Sequence, residues 1–104
     1  MKDFFIYDKR LGLHVPHLKQ EFSDYPPPVQ DSILTRWEQI RGTIPEHIKD
    51  IEEIINQKLN HLNDEEDFEV SCALNYEIAE YASIINDLWL WYRVDQGITT
   101  KTHS

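Results

Sequence analysis

Two apolar seams of identical spacing, joined by a short polar link, constrain this chain more than any other feature. Ile44, Ile48, Ile51, Ile55, Lys58 and Leu62 recur at steps of 4, 3, 4, 3 and 4, and beyond Asn63-Asp64 the same rhythm returns in Leu74, Ile78, Tyr81, Ile85, Leu88 and Tyr92. Alternating steps of three and four keep side chains on one stripe of an α-helix. Two such stripes on either side of a tight connection bury each other as an antiparallel helical hairpin. The spacing therefore predicts helices over 44–62 and 65–96, with Lys58 the one break in the first seam.

Local signals sharpen the ends. Thr43-Ile44-Pro45-Glu46 reads as a capping box, with Pro45 where no N–H is needed and Glu46 reaching back to the cap. The acids after Asn63 favour the positive end of the next helix dipole, and Gly97 is expected to end that helix, leaving 98–104 as a flexible tail. Upstream, Val29, Ile33, Trp37 and Ile40 share a face of a helix over 28–41, for which Gly42 is expected to supply a left-handed stop. Tyr25-Pro26-Pro27-Pro28 forms a rigid elbow, because residues before proline are driven out of the α region. Pro16 to Phe22 is read as about two turns of helix. Residues 1–15 form either a short hairpin around Gly12 or one short helix capped by Asp3, with the hairpin preferred.

The 65–96 helix carries a second seam. Cys72, Tyr76, Ala79, Ser83, Asn86 and Leu90 have the same spacing as the first and lie nearly opposite it. Smallness on such a stripe lets another element approach closely, so this helix is expected to be covered on both sides, by the Phe4-to-Tyr7 segment or by another subunit. The expected fold is all-α, one domain over 1–104. It is a small bundle built on the helix hairpin, with a third helix at 28–41 and the N-terminal apolar segment and Pro-rich elbow of 1–27 packed against it. A chain of 104 residues with 40% hydrophobic and 28% charged residues supports a single folded core.

Charge excludes several function classes. Residues 1–43 hold six acids and six bases, whereas residues 44–104 hold thirteen acids and four bases, so the second part carries the whole net charge of −9. No Lys or Arg stands between Lys58 and Arg93. Nucleic acid and anionic membrane are disfavoured as partners, because both are bound by clustered Lys and Arg. No apolar run reaches the ~20 residues of a membrane span, no signal peptide is read at the N-terminus, and the single Cys72 suits a reducing compartment; a cytoplasmic location is expected.

The chemistry-bearing residues converge poorly. His14, His17 and Glu21 have spacings that a metal site uses, but Pro16 divides the histidines, and surface histidines are the better reading. Cys72 has no histidine within helical reach and reads as a packed thiol. With three glycines in the chain there is no phosphate-cradling loop. Glu77 borders the core seam and needs a cationic partner, for which Arg36 or Arg41 is expected. Glu69, Glu80 and Asp87 share a solvated stripe, and Leu88-Trp89-Leu90-Trp91-Tyr92 is apolar all round its helix.

These features are expected to make a small acidic interaction or regulatory module, without catalysis or cofactor. It is expected to bind another protein, for which a basic one is suited by charge, through Glu69, Glu80 and Asp87 or through Leu90 and Trp91, self-association as a homodimer being one form of this. An immunity-protein or antitoxin-like inhibitor of a basic partner is one alternative. A metal-dependent enzyme using His14 and His17 is another, of a different class.

Overall fold

Gly12 takes φ +65°, a left-handed conformation that costs glycine little, and this reverses the chain after its first strand. Asp8 completes the turn: its carbonyl accepts from the Gly12 N–H at 2.7 Å and its side chain from the Leu11 N–H at 3.0 Å. The computed structural model describes residues 4–94. Its elements are β1 (Phe5–Asp8), β2 (Leu13–Pro16), one 3-10 turn (Phe22–Asp24), α1 (Pro27–Arg41), α2 (Ile44–Asp64) and α3 (Phe68–Tyr92). The fold is mostly helical, and the hairpin preferred for residues 1–15 is present as a two-stranded antiparallel sheet.

No helix spans Pro16 to Phe22. Pro16 closes β2, so the remaining residues are too few to nucleate helix, and the Lys19 N–H donates instead to the Tyr25 hydroxyl. The proline elbow holds Pro26 extended at φ −61° and ψ 150°, and α1 starts at Pro27, one residue earlier than its sequence pattern indicates. Pro27 and Pro28 fall on the first two helical positions, where an absent N–H is no loss.

The link between α1 and α2 corrects two expectations. Gly42 is right-handed, at φ −65° and ψ −18°, so no left-handed stop operates there. The Thr43 hydroxyl donates back to the Ile40 carbonyl at 2.7 Å, so the capping box does not form although α2 starts where it predicts. α3 begins later than position 65, because the Asp67 side chain accepts the N–H groups of Glu69 and Val70 and thereby sets the cap. It ends at Tyr92, short of 96. Gly97 and the 98–104 tail lie outside the described residues.

The first seams behave as their spacing demands: Ile44, Ile48 and Ile51 of α2 and Leu74 and Leu88 of α3 are buried. Because α2 runs on to Asp64 and the connection is Glu65–Asp67, the register places Glu77 beside Lys58 at 2.8 Å, not beside an arginine of α1. Arg41 instead bonds Glu38 and the Tyr92 carbonyl.

The main core gathers at one end of a shape measuring 59 × 23 × 22 Å. There Leu11, Leu13, Val15 and Phe22 meet Ile33 and Trp37 of α1, the first half of α2 and Leu88 of α3. α1 lies against β2, so it does not extend a bundle along the helical hairpin. The Trp37 indole N–H donates to the Val94 carbonyl and locks α1 to the end of α3. Toward the Glu65–Asp67 connection the two long helices, among the described residues, pack chiefly on each other.

Candidate functional site

α3 has apolar side chains around much of its circumference, yet of its 25 residues only Leu74 and Leu88 are buried. The second seam is uncovered: Cys72 and Ala79 are exposed, and Tyr76 and Leu90 are 67% and 52% exposed. Phe68, one turn before Cys72 on the same face, is 78% exposed. This corrects the expectation that the Phe4-to-Tyr7 segment covers the seam. Those residues line a groove with α1, and what lies nearest the seam is Arg10 of the hairpin turn, bonded to Ser83.

Arg10 donates through Nη1 to Asp87 Oδ2 at 2.7 Å and through Nη2 to Ser83 Oγ at 2.7 Å. The bond to Asp87 holds the guanidinium above its usual range. Asp87 is therefore half-buried and paired rather than part of a free acidic stripe. Glu69 and Glu80 are exposed, and Glu80 accepts a long hydrogen bond of 3.4 Å from the Tyr76 hydroxyl. The result is an apolar strip of Phe68, Cys72, Tyr76 and Ala79 that continues through the polar Ser83, held by Arg10, and Asn86 to Leu90, with Glu69 and Glu80 along one border and Asn75 and Ala82 along the other.

Among the aromatic residues at the end of α3, sequence order misleads about direction. Trp91 is half-buried, packed against the core with its ring edge-on to Trp37 at 5.7 Å. Leu90 points outward. Phe68 is the prominent exposed residue that seam analysis missed, since it precedes the seam by one turn; a count extended backward by four from Cys72 finds it.

The described histidines disperse. The His14 ring lies 4.9 Å from that of Tyr7, His47 bonds the Leu11 carbonyl at 2.7 Å, and His61 pairs with Glu65 at 2.9 Å. Among the described residues no group of three or more His, Cys, Asp or Glu is placed to hold a metal ion. No helix among them is long and apolar enough to cross a membrane.

An uncovered apolar strip with acids on one border is chemically suited to hold an amphipathic helix whose own border is basic. Comparison with protein-family models, curated proteins and solved structures finds no match to this chain.

Proposed function

We propose that this chain is a non-catalytic protein-binding module that docks a basic amphipathic helix of another protein on the outer face of α3. The observation that supports it most is the exposure of Phe68, Tyr76 and Leu90 on one strip of a helix that buries two of its 25 residues. Contiguous exposed apolar surface is uncommon on monomers and marks interfaces. Phe and Tyr bury on the order of 150 Å² each when covered, and aromatic anchors dominate binding energy.

Charge favours a basic partner over a second copy. In an antiparallel two-fold pairing of α3 faces, each copy sets its own Glu69 and Glu80 against those of its mate, and the two chains bring a net charge of −9 each. A helix with Lys or Arg along one side meets the same border favourably and gains association rate from it. The free, exposed thiol of Cys72 supports action in a reducing compartment.

The test is capture from the source cell with three baits: the natural chain, Phe68→Asp/Leu90→Asp, and Glu69→Lys/Glu80→Lys. The expected result is a partner held by the first bait, lost from the second, and released from the first by salt. A partner held equally by all three would overturn the assignment of this face, as would a natural chain that is dimeric at micromolar concentration through it.

A further inference from the structure

A second unpartnered surface lies in the N-terminal half. A groove of about 630 Å³ is lined by Phe4 to Tyr7 in unbroken succession, by His14 of β2 beside Tyr7, and, across from them, by Ser32, Ile33 and Arg36 of α1. One face of a strand contributes alternate residues, so four consecutive ones mean that the groove wraps the free edge of β1, while His14 extends it onto the face that Tyr7 shares.

The backbone groups on that edge follow from the register. His17 N–H donates to the Phe4 carbonyl at 2.8 Å, and Phe5 pairs with Pro16, Ile6 with Val15 and Tyr7 with His14. Antiparallel ladders alternate bonded and non-bonded pairs. Ile6 therefore bonds Val15, while Phe5 and Tyr7 turn their N–H and C=O groups away from β2. Pro16, lacking an N–H, sits at a non-bonded position, as this parity requires. Among the described residues the sheet has two strands, so no third strand answers those outward groups.

Sheet edges are ordinarily blunted by Lys, Pro or a bulge. β1 reads Phe-Ile-Tyr-Asp, with Ile6 51% and Tyr7 52% exposed, and is guarded only by its four-residue length and the terminal Asp8. Arg36 adds charge. It is exposed, stands 6.0 Å over the Phe5 ring, and makes no ion pair among the described residues. The carboxylate at the end of β1, Asp8, is occupied by the Leu11 N–H.

We propose that this groove is a second binding site, which takes an extended acidic peptide segment as a third strand beside β1, its backbone bonded to Phe5 and Tyr7 and a carboxylate held by Arg36. A helical partner leaves the edge groups unanswered, whereas a strand answers them and places alternate side chains toward Ile33 and Arg36. The site is independent of the α3 face and stands or falls separately from it.

The experiment uses the full chain, isotope-labelled for NMR, with the peptide acetyl-Val-Glu-Val-Glu-Val-Thr-amide and its twin carrying Lys for Glu. Saturable shifts at the Phe5 and Tyr7 amides, with slowed hydrogen exchange of both, are expected for the Glu peptide. Arg36→Glu should weaken that peptide about tenfold or more and favour the Lys twin, a reversal that loss of folding does not produce. Arg36→Gln should give an intermediate result. Absence of saturation up to millimolar peptide, shifts confined to α3, or equal binding by Arg36→Glu would overturn the proposal.

Discussion

Lys58 and Glu77 meet at 2.8 Å across the α2–α3 hairpin, at the one place where the apolar seam of α2 is interrupted. The lysine also stands 5.9 Å from the Tyr81 ring, so its stem lies along the seam while its ammonium reaches the acid. An interruption in the spacing is thus a register mark, fixing which turn of α3 faces which turn of α2.

The hydrogen bond to Glu77 raises the Lys58 pKa above its ordinary value. A raised folded-state value means that the pair's contribution is fully present below the unfolded lysine pKa of about 10.4 and is lost as pH rises through the folded value. NMR titration of the Lys58 side chain should therefore give a midpoint above that of a model lysine, and Glu77→Gln should bring it down. An unchanged midpoint in the variant would mean that the pair does not persist in solution.

The two described glycines should respond in opposite directions to alanine. At Gly12 the left-handed φ and a Cβ only 3.2 Å from His47 Nε2 predict a loss of about 1–2 kcal/mol or more. At Gly42 the helical φ and ordinary contacts predict a gain of about 0.4–1 kcal/mol through the unfolded state. Urea unfolding of both variants measures this directly.

Ile51→Ala should cost about 2–5 kcal/mol, because Ile51 is buried in the central cluster and little can collapse into the cavity. Tyr76→Ser should stay within about 0.5 kcal/mol, since its ring is largely in water. A large loss at Tyr76 would show that something already covers α3.

Adjacent residues at the end of α3 make a sharper contrast. Trp91→Ala removes the edge-on partner of Trp37 and should cost at least about 2 kcal/mol, whereas Leu90→Ala should be nearly neutral in the free chain. Thermal unfolding of the two variants separates core from surface one residue apart.

The seams were legible because burial imposes a period on sequence: Ile44, Ile48, Ile51, Leu74 and Leu88 are where spacing puts them. The hairpin around Gly12 was legible in outline, through turn chemistry. What spacing does not carry is register, and so Glu77 was matched with α1 rather than with Lys58. Nor does it say what covers a stripe: small residues at Cys72, Ala79 and Ser83 are compatible with close packing, yet in this fold they face outward. The groove beside β1 left no mark in the pattern, because an edge is defined by the neighbour that is missing.

The concentration of the core at one end of a 59 Å molecule makes its stability uneven along its length. Leu74 is buried but outside the central cluster, while Leu88 belongs to the cluster that β2, the 3-10 turn, α1 and α2 share. Opening should begin at the Glu65–Asp67 tip and run inward, so amides around Leu62 and Leu74 exchange through local fraying while those around Ile48 and Leu88 await global unfolding. A partner seated near Phe68 would then clamp the weakest section of the chain and slow exchange there, with the melting temperature of the whole moving little.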